Sequence, residues 1–382
     1  MITQIELECF KCFEVLKLPL APLTLLSGTN ASGKSSILQS MVLLHQTILN
    51  HEWSTRLQLN GPELQLGTVH DVVDKVHGRR EFKIALSDEN CYVKWAFSYE
   101  EEEDKQAMSA AVGSVGVNGD FVQSPDKLRF LFPAPLKTAE NLANRLKELT
   151  YLTAERVGPR DSYRLQDPTA TQFVGSRGEN TVGLLYQRRE KQVLSALVLD
   201  SFTHTLLHQV EARMELFFPG TSLKVQPVPE ANMVTLGITN SGETGFHRPM
   251  NVGFGLTQVL PIIVAALSAK EGDLLLIENP EVHLHPAGQA MMGEFLSEVA
   301  AAGIQVIVES HSDHVLNGIR RAVKGQKLSD EKVSLHFFNS RKDGQQQFTS
   351  PTIDASGNID QWPSGFFDQY DKDLNYFAGW GE

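Results

Sequence analysis

Gly28-Thr29-Asn30-Ala31-Ser32-Gly33-Lys34-Ser35 sets two glycines, a lysine and a hydroxyl at the spacing G-x-x-x-x-G-K-[ST]. These residue types can grip a chain of phosphates. Glycines let backbone N–H groups close around phosphate oxygens, and a helix starting at the loop adds positive potential. Lys34 neutralises the β and γ oxygens, and the hydroxyl of Ser35 is a ligand for Mg²⁺. Ser36 follows at the helix start. A turn that only capped a helix would have no use for Lys followed by Ser at this place.

A second set of residues lies far downstream. Asp273-Leu274-Leu275-Leu276-Ile277-Glu278-Asn279-Pro280-Glu281 is an apolar run ending in an acid, a Walker B arrangement. Ligands of parallel α/β sheets collect outside the carboxyl ends of the strands, so Glu278 belongs beside the cation held by Ser35. Ile304 to Glu309 is another buried run, followed by Ser310-His311-Ser312-Asp313-His314. His311 therefore falls on the nucleotide edge, where an imidazole can touch a γ-phosphate. Asn251-Val252-Gly253-Phe254-Gly255 is a glycine turn running into a helix over 256–268, a second phosphate cradle at Asn251, Gly253, Phe254 and Gly255. One triphosphate needs one cradle, so the second predicts a homodimer in which each chain serves the other's nucleotide.

The elements that must carry these residues are legible in outline. Ile2 to Phe10 alternates as a half-buried strand and pairs with a second around Val15 to Leu18; Leu23 to Leu26 is the buried strand before the loop. Glu8 to Cys12 reads as strand, with Cys9 and Cys12 as reduced, buried or half-buried thiols. Glu81–Ser87 and Cys91–Tyr99 form a hairpin. The acids of Glu100 to Asp104 and the small residues of Met108 to Gly119 read as a solvated loop. Thr138 to Leu149 is helical, and Tyr151 to Ala154 a strand. Arg156 and Arg160 then either touch phosphate or a partner subunit, or hold a salt-bridged turn. Lys191 to Phe218 predicts one long helix carrying His204 and His208 a turn apart, a pair with no third metal ligand in view. Ser222–Val228 and Met233–Thr239 are strands joined by a turn at 240–242. The tail predicts a hairpin, Val333 to Phe338 and Gln346 to Ile353, with an aromatic plug; Asp354, Asp360, Asp368, Asp371 and Asp373 are scattered and form no nuclease cluster.

A chain of 382 residues, 41% hydrophobic and 21% charged, is an ordinary globular composition. The net charge of -12 repels a polyanion on average, so contact with nucleic acid needs a local basic patch. No apolar run approaches the roughly 20 residues of a spanning helix, and no signal sequence opens the chain, so a cytoplasmic location without membrane contact is expected.

Together, Phe10-Lys11-Cys12-Phe13, the phosphate loop, the glycine turn, Pro280-Glu281-Val282-His283-Leu284-His285-Pro286 and the Ser-His-Ser switch resemble the ABC-type ATPase heads of the SMC, RecF and OLD group. Ile277 to Glu281, Glu309 to His314 and the tail from Asp360 to Gln369 are similar to a bacterial AAA-type family. The C-terminal part of that family is a domain of unknown function, and its members often lie near anti-phage defence genes. The resemblance implies an α/β P-loop NTPase fold with an inserted mixed lobe, ATP and Mg²⁺ as cofactors, homodimers, and a link to DNA, DNA repair or a separate effector or nuclease subunit. The divisions expected are 1–105 and 246–340 for the ATPase, 106–245 for the lobe and 341–382 for the tail. The interval from Ser36 to Asn251 shows only short helices and strands, so no SMC-type coiled-coil arm is expected, and 71 residues after His311 leave little room for an OLD-type nuclease.

Two departures bear on turnover. Asn279 stands where active heads carry the glutamate that polarises water, and an amide cannot accept a proton at neutral pH. Gly253 stands where the signature usually has Ser. Both predict slow hydrolysis, with Glu281 either taking over as base or capping the following helix. The alternative function is an ATP-held scaffold that hydrolyses little and regulates a partner nuclease or toxin.

Overall fold

The computed structural model describes residues 1–76, 79–99, 106–135, 138–169, 173–200, 202–239, 245–339, 347–363, 365–367 and 369–379. The chain divides into two units: residues 1–149 with 330–354 and 358–382, and residues 150–329 with 355–357.

In the first unit, β1 (Ile2–Phe10), β2 (Phe13–Pro19), β3 (Leu23–Gly28) and α1 (Lys34–Asn50) open the chain. There follow β4 (Arg56–Gln58), α2 (Val69–Val72), β5 (Glu81–Asp88), β6 (Tyr92–Ser98), β7 (Ser109–Val117), β8 (Asp120–Gln123) and α3 (Glu140–Lys147). An antiparallel sheet runs β2-β1-β5-β6-β7-β4, with β8 on β7. Its core is aromatic: Phe82 lies 5.5 Å from Phe10 and 5.1 Å from Phe97, ring centre to ring centre, and all three are fully buried. Hydrophobic burial on this scale, about 1.5–3 kcal/mol per large side chain, is what the alternating pattern of the strands encodes.

Two expectations fail here. The small residues after Met108 form strand β7, because β4, β6 and β8 all pair with it; Gly116 leaves the space that the Phe121 ring fills, 2.4 Å from where a Cβ would stand. The strand reading of 8–12 ends at Phe10: Cys9 and Lys11 both have φ 52, so the chain bends and Cys12 sits in the turn. None of the three cysteines is in a disulfide. The acidic run 100–104 lies outside the described residues.

The second unit contains β9 (Thr150–Leu152), β10 (Tyr163–Arg164), α4 (Thr181–Arg188), α5 (Leu206–Phe217), β11 (Ser222–Val228) and β12 (Met233–Thr239). It continues with α6 (Phe254–Ser268), β13 (Leu274–Glu278), α7 (Pro286–Ala301), β14 (Gln305–Glu309) and α8 (Asp313–Lys324). β9 and β14 flank β13 in parallel, and β10-β12-β11 is a small antiparallel sheet. Every residue of β13 and β14 is buried, as expected of parallel strands covered on both faces.

The long helix expected over 191–218 is present only from Leu206. The chain before it doubles back instead: Leu206 N–H donates to Lys191 O at 2.8 Å and Val193 N–H to His204 O at 3.1 Å. Gln209 fastens the return, taking Leu199 N–H on Oε1 and donating to Leu199 O and Thr203 O. Val193 and Leu197 are buried through this return rather than along a helix face. His204 consequently precedes α5, and His208 shares a 2.8 Å hydrogen bond with the Thr205 hydroxyl. The turn expected at 240–242 lies outside the described residues.

The chain then re-enters the first unit with β15 (Val333–Phe338), β16 (Phe348–Thr349) and α9 (Gln369–Ala378). β15 pairs antiparallel with β16 as the expected hairpin does, though its second strand is only Phe348–Thr349, and β15 pairs parallel with β3 along its whole length, from Val333 opposite Leu23 to Phe338 opposite Gly28. Phe366 is the plug, 1% exposed and 5.3 Å from Phe337. Helix α9 is an addition the sequence reading missed. Asp354 and Asp360 fold turns, accepting Asn358 N–H and Thr352 N–H. No helix among the described residues is long and apolar enough to cross a membrane.

Candidate functional site

In the first unit, β3 delivers the chain into a loop that only glycine can make at two points. Gly28 has φ 138, and a Cβ there would stand 2.1 Å from Phe338 O; Gly33 has φ 98, and its Cβ would stand 2.4 Å from Cys12 Sγ and 2.6 Å from the Phe13 ring. Ala31 between them is also left-handed, at φ 59. Thr29 N–H donates to Phe338 O at 3.0 Å and the Ser32 hydroxyl to Thr29 O at 2.8 Å, so Thr29 and Ser32 hold the loop's shape. Lys34 is 3% exposed, and its ammonium donates to Gly28 O and Thr29 O at 3.1 and 2.7 Å.

These residues fit a phosphate. No side chain caps the N-terminus of α1 and no acid stands in its first turn, so the first N–H groups of a 17-residue helix have no anionic partner supplied by their own side chains. A buried ammonium held by two backbone carbonyls completes a concentration of positive potential that a phosphate chain satisfies. Asn30 and Ser35 stand on this loop and at the helix start.

In the second unit, β13 ends on Glu278, 7% exposed. Its carboxylate is held from β9: the Tyr151 hydroxyl donates to Oε1 at 2.9 Å, and the Thr153 hydroxyl and Ala154 N–H to Oε2 at 3.3 and 3.2 Å. Burial first, and then the Glu278 charge, push the Tyr151 hydroxyl far above its usual range, so it is a donor at neutral pH. Arg156 neither reaches outward to phosphate nor forms a salt-bridged turn. It is 5% exposed and donates to three carbonyls, Thr153 O at 3.2 Å, Glu278 O at 2.8 Å and Asn279 O at 2.8 Å. Burial lowers its pKa to about 10, opposed by the charges of Glu281 and Glu278, and it remains a cation. Arg160 is exposed.

Beyond Glu278 the loop turns through Asn279 at φ 44, a left-handed position that Asn tolerates better than most residues. The Asn279 Oδ1 is buried without a partner. Glu281 meets the switch segment: Oε2 accepts the Ser310 hydroxyl and Oε1 accepts His311 N–H, both at 2.9 Å. The expected cap on the following helix is therefore corrected. Glu281 binds the chain just before α8, while α7 is capped by His285, whose Nδ1 accepts Ala287 N–H at 3.4 Å. The ties continue as a ring: Ser312 N–H to Ser310 Oγ, Ser312 Oγ to Gln289 Oε1, and Gln289 Nε2 to Leu284 O, at 3.1, 2.5 and 2.9 Å. His311 itself is 39% exposed, with Nε2 3.9 Å from Glu309 Oε1.

The glycine turn packs on the same loop. The Phe254 ring meets the His283 ring edge-on at 4.8 Å, and a Cβ on Gly255 would stand 2.6 Å from His283 O. Gly253 has open space around it, φ -58, and is the N-cap of α6 with no side-chain bond. The two glycines therefore have different tasks, close packing at Gly255 and free approach at Gly253. Asn251 ends the short 3-10 turn before them, and its N–H donates to Arg248 O. Gly255→Ala is expected to destabilise the protein by about 1–3 kcal/mol, since the obstacle is backbone. Gly253→Ser should stay within about 0.5 kcal/mol of the parent, and paired thermal melts check both.

The structure thus gathers Glu278, Asn279, Glu281 and His311 in one unit and builds the loop from Gly28 to Ser36 in the other. Tyr151, Thr153 and Gln289 escaped the sequence reading as site residues, and Arg156 and His283 were named there without the partners they have. A tyrosine beside the acid strand was visible as residue type; its partner was not.

Comparison with known families matches residues 1–106 to an AAA ATPase domain and residues 131–317 to an AAA domain described as a putative AbiEii toxin of a Type IV TA system. Residues 328–376 match a protein of unknown function, DUF3696. No curated protein matches by sequence. Among solved structures, an SMC head bound to the C-winged helix domain of ScpA is 12% identical with a TM-score of 0.53, over 92% of this chain and 98% of that one. An Smc head domain with an extended coiled coil, bound to the C-terminal domain of ScpA and derived from Pyrococcus furiosus, is 12% identical with a TM-score of 0.53 over 99% of both chains. At that identity the likeness speaks for the fold, an ABC-type ATPase head.

Proposed function

We propose that this chain, which belongs to the AAA/ABC-type ATPases of the SMC, RecF and OLD group, binds ATP with Mg²⁺, dimerises on it and hydrolyses it slowly to gate action on DNA or an effector protein. The observation that carries the reading is the loop from Gly28 to Ser36, with its buried Lys34 and a helix start without cap or acid. Lys34 and the loop N–H groups hold the phosphates; Ser35 and Glu278 are the protein's contacts to the cation. When bound, Mg²⁺ neutralises charge on the β and γ oxygens. Asn251, Gly253, Phe254 and Gly255 serve the nucleotide of a second copy, and the open space at Gly253 leaves room for that approach. His311, more than a third exposed, is the group we assign to the γ-phosphate.

Slow turnover follows from the loop chemistry. Asn279 accepts no proton, and both oxygens of Glu281 are engaged by Ser310 and His311. The same observation favours the second reading, an ATP-held scaffold regulating a nuclease or toxin. Support for a protein partner comes from the matched domain described as a putative toxin and from the similar heads, which are bound to ScpA. A role in anti-phage defence or DNA repair belongs to this proposal.

The readings separate on turnover. An ATPase assay with and without duplex DNA should give DNA-stimulated hydrolysis for the gate, and binding without turnover for the scaffold. Dimerisation is tested by light scattering with a non-hydrolysable ATP analogue: the expected result is a doubled mass, and a monomer mass at saturating analogue would refute it.

A further inference from the structure

We infer that Tyr151 is a positioning residue, whose hydroxyl fixes the Glu278 carboxylate in the orientation that meets a divalent cation. The inference rests on the nucleotide reading above and adds a residue from a strand that carries none of the nucleotide motifs.

The register explains how Tyr151 reaches the acid. In the parallel pair, Tyr151 stands opposite Leu276 and Leu152 opposite Ile277. Side chains at 276 and 278 share a face of β13, so Tyr151 is on the face of Glu278 and one pleat behind it. A tyrosine is long enough to bridge that pleat, and its hydroxyl lies 2.9 Å from Oε1. The two bonds on Oε2 are longer, 3.3 Å from Thr153 and 3.2 Å from Ala154 N–H. No ion pair reaches the Glu278 carboxylate among the described residues: neutral donors hold its oxygens, and the nearby Arg156 guanidinium bonds the Glu278 carbonyl instead. The neutral donors do not neutralise the carboxylate as a direct ion pair would, and they remove the rotamer freedom that a glutamate would otherwise lose on binding a cation. Tyr151 is itself 4% exposed, its ring locked in the core, so the donor is held in place before any ligand arrives.

The test uses the full chain and Mn²⁺ as the probe, followed by its paramagnetic resonance signal, with ATP affinity measured separately in EDTA. Tyr151→Phe keeps the ring and removes the donor. The expected result is Mn²⁺ affinity of the ATP-loaded protein lowered roughly tenfold, the loss of one hydrogen bond to a charged group, with metal-free ATP affinity unchanged. Thr153→Val, removing a longer bond, should move Mn²⁺ affinity in the same direction by less, and it stands in should Tyr151→Phe not fold. Parental Mn²⁺ affinity in Tyr151→Phe overturns the inference, as does an equal fall of metal-free ATP affinity, which would mark a merely structural role. A parent that takes up neither ATP nor Mn²⁺ would instead refute the nucleotide reading, and the inference with it.

Discussion

Lys34→Ala is expected to lower ATP affinity at least a hundredfold while leaving the fold standing. The ammonium is buried at 3% exposure, where a charge meeting phosphate oxygens is screened little by water. Bonds to a charged group are worth about 1.5–3 kcal/mol each, and an ammonium that offers two of them to the β and γ oxygens accounts for two to four decades of affinity. The cost to stability is smaller. Lys34 leaves behind the carbonyls of Gly28 and Thr29, which water can reach once the side chain is gone. A loss of about 1 kcal/mol, or a few degrees in Tm, is the scale for such a change. Calorimetry with Mg²⁺ present measures the affinity and a thermal melt the fold. Unchanged affinity would remove the phosphate-loop assignment altogether.

The second large effect concerns Glu281. As a general base it would lose roughly 10²–10⁴-fold in hydrolysis on becoming Gln, with ATP binding intact. The geometry supports a different outcome. Its two oxygens are the acceptors that join the post-strand loop to Ser310 and His311, so Gln keeps one acceptor and turns an amide N–H₂ toward the other donor. On that account hydrolysis falls about tenfold or less through a displaced His311, and Ser310→Ala added to Glu281→Gln costs almost nothing further, since both break one network. A fall of three decades, unchanged by the state of Ser310, would restore Glu281 as the base. Asn279→Glu places the usual base beside Glu278, but at φ 44 a glutamate is strained by about 1–2 kcal/mol, so any gain in turnover comes with a less stable loop.

What the sequence made legible was local. β11 and β12 begin and end at the expected residues, and Leu23 to Gly28 and Leu274 to Glu278 are strands, because runs of apolar residues between turn formers carry their own signal. The site's supports were not legible, since they join residues distant in the chain. Tyr151 and Glu278 are 127 positions apart, and Arg156 and Asn279 are 123 apart. Residues 191–205 misled for a related reason: their apolar spacing is close to a helical period, yet the burial comes from a chain reversal stapled by Gln209. Glycine was the more informative residue. Gly28, Gly33 and Gly255 each marked a place where another backbone or side chain comes too close for a Cβ.

The wall behind the phosphate loop is Phe338, whose carbonyl takes the Thr29 N–H and whose backbone occupies the space beside Gly28. On a ribosome adding 5–20 residues per second, the roughly 310 positions between Gly28 and Phe338 take about 15–60 s to emerge. Through that interval β3 stands without its β15 neighbour, and the loop packs on Cys12 and Phe13 but lacks the wall beside Gly28. The loop in this shape is therefore a late product of synthesis: the Thr29 N–H finds its carbonyl only once β15 has joined β3.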